Sequence, residues 1–236
     1  MPATGDSMPP VTDIVEENPA IPAATVILVR DGADGLEVLM LHRVSKVAFG
    51  GMWVFPGGRV DDEDRRPDDV GDEACARRAA AREALEECGL AVDPEELVAF
   101  SHWVPPAITP RRYSTWFFLA RASDGEVVVD GGEIHAHAWL PAREVLDRRD
   151  RGEVDLAPPT WVTLHDLAEH DDVDRALAAA SARDPLPHYE TRWVNIDDGA
   201  VAMWHGDAGY DTSDSDVSGP RHRLWMGEGG WRLERD

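Results

Sequence analysis

The amino-acid sequence predicts a mixed α/β protein with a central sheet, one long helix and a small C-terminal β extension. The chain has 236 residues, 43% of them hydrophobic, which suffices for one packed domain with an appendage. Apolar runs of strand length surround a segment rich in Ala, Arg, Glu and Leu, all strong helix formers. After Pro185 and Pro187 the pattern becomes purely β.

The N-terminal third divides into an arm, three strands and the helix. Residues 1–22 contain five prolines and little apolar pattern, so we expect a flexible arm. Strands are predicted at three short apolar segments: 25–29, 37–41 and 52–55. The acidic segment 61–73 is expected to form a surface loop. The composition predicts a helix over 73–88, which ends where Gly89 follows it.

The rest of the chain completes a core domain over 23–184 and adds the extension. Further strands are predicted at 97–104, 115–120, 126–129 and 136–140. Further helices are predicted at 141–149, 159–170 and 173–183. Residues 185–236 carry turn signals at Asp198-Gly199 and at 227–230, which predict a C-terminal β-hairpin extension.

The charge and the cysteines limit the classes of function. A formal net charge of −23 disfavours nucleic-acid binding and docking on anionic membranes, so neither partner is expected. A phosphate-bearing substrate remains compatible, because a divalent metal can bridge carboxylates and phosphates. Cys75 and Cys88 lie about 20 Å apart on the predicted helix, too far for a disulfide. Free thiols, no apolar run of 18 residues and no signal-peptide pattern lead us to expect a cytoplasmic protein.

The segment 55–90 carries the candidate chemistry. Gly57-Gly58 follows a predicted strand and would let the backbone approach a ligand closely. Glu83, Glu86 and Glu87 are spaced three and four residues apart, so they share one face of the helix. Clustered carboxylates suit Mg²⁺ or Mn²⁺, although a bare triplet of this kind is more often a solvated helix face.

This segment resembles the box of the Nudix family, G-x5-E-x7-R-E-U-x-E-E-x-G-U, in which U is apolar. Gly58 matches the leading glycine, and residues 82–90 match the second half throughout. Between them the family places a glutamate six residues after the glycine and eight before the arginine. This chain has Asp64 and Ala74 at those two positions, so its box holds ten extra residues. A surface loop absorbs such an insertion at little cost in closure entropy.

The resemblance implies an α/β/α sandwich with a mixed sheet that hydrolyses a pyrophosphate bond in a nucleoside diphosphate linked to another group. The lengthened box and the run 103–119 look like a subgroup that includes the peroxisomal coenzyme A diphosphatases. Coenzyme A or acyl-coenzyme A is therefore one substrate, with ADP-ribose, a dinucleotide or a nucleoside triphosphate as alternatives. A non-catalytic nucleotide-sensing module and a partner-binding protein that uses the hairpins are further alternatives. Family members often dimerise, which leaves a homodimer open.

The resemblance also implies roles for single residues. The implied ligands of Mg²⁺ or Mn²⁺ are Glu83, Glu86, Glu87 and the carbonyl of Gly58. Arg82 would orient the glutamates, and Glu133 is the candidate for a further base or ligand, the alternative being a plain turn carboxylate. Four arginines are candidate contacts for substrate phosphate, or else surface charges: Arg43, Arg59, Arg111 and Arg112.

Overall fold

The computed structural model describes residues 18–33, 35–44 and 50–236, so most of the predicted N-terminal arm lies outside the described residues. The strands of the larger sheet are β1 (Ile21–Gly32), β2 (Gly35–Arg43), β3 (Trp53–Val54), β4 (Gly57–Arg59), β5 (Val98–Val104), β6 (Tyr113–Arg121), β7 (Ile134–Pro141) and β8 (His188–Glu190). The helices are α1 (Glu73–Cys88), α2 (Ala142–Asp150), α3 (Pro158–Leu167) and α4 (Val173–Ser181). The strands of a smaller sheet are β9 (Arg192–Ile196), β10 (Gly199–Met203), β11 (His222–Gly227) and β12 (Gly230–Arg235).

The larger sheet is mixed. Its main path runs β3-β2-β1-β6-β5-β8, with β4 paired to β1 and β7 paired to β2. The pairs β1–β6 and β5–β8 are parallel, and the other pairs in this sheet are antiparallel. β1 is the common member, because it contacts β2, β4 and β6 along its length.

The alternation of side chains along β1 creates two cores, one on each face of the sheet. Ala24, Val26 and Leu28 pack with the alanine and cysteine side chains of α1. Ile27 and Val29 belong to the opposite core, which also contains the apolar faces of α2, α3 and α4. The predicted α/β/α sandwich is thereby confirmed.

Helix α1 has the bounds that the sequence predicts. Gly89 ends it in a left-handed conformation with φ 73°, and its N–H donates to the Leu85 carbonyl at 3.1 Å. The buried residues of this helix are mostly alanine and cysteine, whose small side chains let the helix lie close to the sheet. Cys75 and Cys88 are buried free cysteines, as expected. No helix of the described ranges is both long and apolar enough to cross a membrane.

The structure differs from the sequence prediction at three places. The strand predicted over 126–129 is wrong, because this segment runs along the end of α1 and Val128 donates to the Cys88 carbonyl. Residues 18–22 are not a loose arm, since β1 already begins at Ile21. The main sheet also continues past residue 184, because β8 pairs with β5.

The smaller sheet packs against the core of the main domain. Its strand order is β12-β11-β10-β9, which leaves β9 at an edge. Ala200, Ala202 and Trp204 join the core beneath α3 and α4. The fully buried Trp204 ring lies 5.6 Å from Trp103 and 5.1 Å from Tyr189, edge to face with both. The predicted β extension is therefore an integral part of the fold.

A buried ion pair fixes the smaller sheet. The Asp207 carboxylate accepts from Nε and Nη2 of Arg223 at 2.7 and 2.6 Å, and both side chains are fully buried. The N–H groups of Gly209 and His222 donate to the same carboxylate. Burial alone would raise the pKa of Asp207, but the hydrogen bonds from Arg223 and these N–H groups outweigh it and lower the pKa to about 2.

We expect Asp207→Asn to destabilise the protein by about 3–5 kcal/mol, because it leaves the buried Arg223 without a charged partner. The measurement is urea unfolding at pH 7, with the exposed Asp211→Asn as the matched control. An Asp207→Asn variant as stable as the control would contradict the assigned role.

The same pair predicts an acid dependence. The pKa of Asp207 is about 2 in the folded protein and near 3.8 unfolded, so its stabilisation is nearly complete above about pH 5 and is lost as the pH falls towards 2. Between pH 4 and pH 2.5 the parent protein should lose about 1–1.5 kcal/mol more unfolding free energy than Asp207→Asn. Equal losses in urea titrations at pH 4 and pH 2.5 would refute this.

Candidate active site

A cavity of about 850 Å³ lies between β4, the second half of α1, the β5–β6 loop and the smaller sheet. It brings together nine of the ten predicted site residues: Arg43, Gly58, Arg59, Arg82, Glu83, Glu86, Glu87, Arg111 and Glu133. Arg112 is not among the lining residues. Its guanidinium donates to the backbone carbonyls of Pro105 and Asn18, so it holds the β5–β6 loop to the start of the described chain.

The glycines of β4 allow the helix to approach the sheet. Gly57 and Gly58 pair with Thr25 and Ala24 of β1. A Cβ at Gly57 would lie 2.4 Å from the Ala24 carbonyl oxygen, and one at Gly58 would lie 2.3 Å from Oε1 of Glu83. The Glu83 carboxylate therefore occupies the space that a side chain at Gly58 would need.

The Arg82 guanidinium organises two of the three glutamates. Its Nη1 donates to Glu83 at 3.0 Å and to Glu86 at 3.1 Å. Its Nη2 donates to the carbonyl of Arg59 at 3.0 Å, which ties α1 to the end of β4. The orienting role of Arg82 stays a prediction, and these are the contacts through which it would act.

We expected a surface loop over 61–73, but Asp64 from this segment completes the Arg82 cluster. Its two carboxylate oxygens accept from Nη2 and Nε of Arg82 at 2.9 and 3.2 Å, and the residue is only 4% exposed. Asp64 lies six residues after Gly58, where the box pattern has a glutamate. The ten extra residues follow Asp64, so they do not displace it. Its position in the box was the signal that could have identified it.

Arg43 and the Gly57 backbone hold the third glutamate. Oε1 of Glu87 accepts from Arg43 at 2.5 Å, and Oε2 accepts from the Gly57 N–H at 2.9 Å. The same guanidinium lies 3.4 Å from Oε2 of Glu133, whose side chain is 56% exposed. Arg43 was predicted to bind substrate, and the structure places it on two carboxylates of the site.

Burial shapes the electrostatics of the glutamates. Desolvation raises the pKa of Glu83 to about 6; Arg82 opposes this rise, and the charges of Glu87 and Glu86 reinforce it. Burial also raises the pKa of Glu87, against the lowering effects of Arg43 and the Gly57 N–H. The cavity wall thus concentrates carboxylates that a cation would stabilise.

The donor chemistry fits a hard divalent cation. Oxygen ligands from glutamates and a backbone carbonyl are those preferred by Mg²⁺ and Mn²⁺. The Glu83 carboxylate also lies directly against Gly58, beside the backbone of β4. Within the described part of the chain, no three acidic, histidine or cysteine side chains already converge as a set of metal ligands, and arginines contact all three glutamates.

The chain is similar to known proteins in both sequence and structure. A sequence model of the NUDIX domain matches residues 20–159. The Caenorhabditis elegans protein named "Putative nudix hydrolase 7" is 27% identical over 187 residues, which are 63% of this chain and 61% of that protein. The chain thus matches less than two thirds of that relative's length. The crystal structure of a NUDIX hydrolase from Alicyclobacillus acidocaldarius is 27% identical, with a TM-score of 0.61 over 68% of this chain and 96% of that one.

We expect Asp64→Asn to weaken the affinity for Mn²⁺ by about 10- to 100-fold, because Arg82 loses the partner that fixes its orientation. The exposed Asp62→Asn, two residues away, is the matched control. Isothermal titration with Mn²⁺ measures the affinity. Unchanged Mn²⁺ affinity in a folded Asp64→Asn variant would contradict the orienting role.

Proposed function

The chain belongs to the Nudix family, and from that membership we propose that it is a metal-dependent hydrolase of a nucleoside diphosphate linked to another group. The bond cleaved is the pyrophosphate bond. The observation that carries the proposal is the placement of Glu83, Glu86 and Glu87 on one wall of the cavity, each contacted by an arginine.

The proposed ligands of Mg²⁺ or Mn²⁺ are Glu83, Glu86, Glu87 and the Gly58 carbonyl. A bound divalent ion supplies polarisation of the phosphoryl oxygen and lowers the pKa of water. The protein contributes orientation: Arg82 fixes Glu83 and Glu86, while Arg43 fixes the third carboxylate. Preorganised charge of this kind avoids rearrangement during the reaction.

Glu133 is the proposed base that takes a proton from the attacking water. The Asp130 carboxylate accepts from the N–H groups of Glu133 and Ile134 at 3.0 and 2.9 Å, which fixes the turn before β7. This turn places the half-exposed Glu133 carboxylate at the cavity, 3.4 Å from Arg43. A carboxylate so placed can reach both water and substrate.

Arg59 and Arg111 are the proposed contacts for the substrate phosphates. Both line the cavity, one at the end of β4 and the other in the β5–β6 loop. A guanidinium can bind two phosphate oxygens at once, which suits it to a diphosphate.

Coenzyme A or acyl-coenzyme A is the proposed substrate, on the basis of the lengthened box. A cavity of about 850 Å³ has room for a substrate with two large parts. ADP-ribose or a dinucleotide is the alternative substrate, and nucleotide sensing without cleavage is the alternative function. The two buried free thiols support a cytoplasmic location, which is part of the proposal. The proposed oligomeric state is a homodimer.

A substrate panel with Mg²⁺ and with Mn²⁺ tests the proposal. It includes coenzyme A, acyl-coenzyme A, ADP-ribose, NADH, dinucleoside polyphosphates and nucleoside triphosphates. We expect hydrolysis of at least one compound, and a loss of kcat/KM of more than about 100-fold in Glu86→Gln and in Glu87→Gln. The exposed Glu96→Gln is the matched control and should hydrolyse normally.

Two results would count against hydrolysis. If no compound is cleaved while a nucleotide still binds, and the glutamine variants bind it equally well, the chain is a sensor. If both glutamine variants keep full activity, the site lies elsewhere.

A further inference from the structure

The smaller sheet forms part of the candidate active site. Thr191, Trp193 and Asn195 line the cavity from β9 and the residue before it, and Ala202 and Trp204 line it from β10 and the residue after it. These side chains carry no charge, whereas the wall formed by β4 and α1 carries arginines and glutamates. The cavity therefore offers two different environments to one ligand.

Aromatic rings connect the two environments. Phe55, two residues before Gly57, lies 6.3 Å from Phe117, and Phe117 lies 6.2 Å from Trp103. Trp103 in turn lies 5.6 Å from Trp204. These four residues line the cavity, and their rings, each at most 5% exposed and that of Trp204 fully buried, form a continuous apolar floor beneath it from the glycine strand to the smaller sheet.

Trp193 stands at the far end of this floor. It pairs with Ala202 of β10, whose side chain faces the core, but Trp193 itself is 41% exposed. It lines the cavity from β9, which is at an edge of the smaller sheet. Among the described Trp, Tyr and Phe residues, Trp193 is the one with more than a third of its surface exposed.

One hydrogen bond orients the indole ring. Its N–H donates to Oδ1 of Asn195 at 3.1 Å, which leaves the side-chain NH₂ of Asn195 to donate to a ligand. Across the cavity, the β5–β6 loop contributes Ile108, which is 83% exposed. An exposed aromatic plane, an adjacent amide donor and an exposed apolar side chain on the same cavity suit a planar group with hydrogen-bond acceptors.

We propose that Trp193 and Asn195 bind a heteroaromatic base of the substrate, so that the smaller sheet determines which nucleotide the site accepts. This inference rests on the proposed function and adds a specificity residue to it. Trp193 stacks on the base, and the Asn195 amide donates to a ring nitrogen or carbonyl oxygen. The diphosphate then extends along the aromatic floor towards the arginines and glutamates.

Isothermal titration with AMP in the presence of Mg²⁺ tests the inference, because AMP has no pyrophosphate bond to cleave. Trp193→Ala should weaken AMP binding roughly 5- to 150-fold, the range for loss of one base–aromatic stack. Trp193→Phe should retain most of the affinity, and Asn195→Ala should weaken binding. Arg192→Ala changes an exposed neighbour on the other face of β9 and should bind AMP normally.

Kinetics with the substrate found in the panel give the second readout. Trp193→Ala should raise KM with little change in kcat, because the ring lies away from the glutamates. Unchanged AMP affinity in Trp193→Ala, an equal loss in Arg192→Ala, or no AMP binding by the parent protein would overturn the inference. If Trp193→Ala weakens the binding of pantetheine but not of AMP, the inference is also overturned. The smaller sheet would then bind the pantetheine part of a substrate instead of its base.

The two proposals fail separately. If the parent protein cleaves nothing but binds AMP through Trp193, the proposed hydrolysis fails and the base site stands. If the parent protein cleaves a nucleotide and Trp193→Ala binds AMP and turns over as well as the parent, only the base site fails.

Discussion

The site depends on one guanidinium. Arg82 binds carboxylates from α1 and from the 3₁₀ turn at Asp62–Asp64, and it also binds the Arg59 carbonyl at the end of β4. In a chain with a net charge of −23, these acids would otherwise repel one another. The Arg82 side chain is 18% exposed and that of Glu86 56%, so these pairs are only partly buried and contribute little net stability, but they hold the carboxylates in place. Burial still disfavours the charged form of Glu83, and it raises the pKa of this carboxyl to about 6.

The smaller sheet forms part of the cavity wall. Its core face holds Trp204 against the main domain, and the buried Asp207–Arg223 pair fixes the segment that follows β10. Trp193 and Asn195 alternate along β9, so they lie on one face of the strand, and both line the cavity. The stability of this sheet and the shape of the cavity are therefore coupled through the same few contacts.

Local rules account for what the sequence predicted well. The bounds of α1 follow from helix propensity and from Gly89, which alone tolerates the left-handed end of the helix. The shared face of Glu83, Glu86 and Glu87 follows from the period of 3.6 residues. The strand at 25–29 and the C-terminal hairpins follow from apolar patterning and turn residues. Each of these depends on residues within a few positions of one another.

The sequence by itself determined the α/β class, the helix that carries Glu83, Glu86 and Glu87, and the β extension. The tertiary structure decided which arginines meet which carboxylates, that Asp64 is buried on Arg82, that Arg112 binds backbone carbonyls, and that Trp193 faces the cavity. Arg43 and Glu87 are 44 positions apart, and no local period relates them. Such pairs form only when whole elements pack, because packing sets which distant surfaces share a cavity.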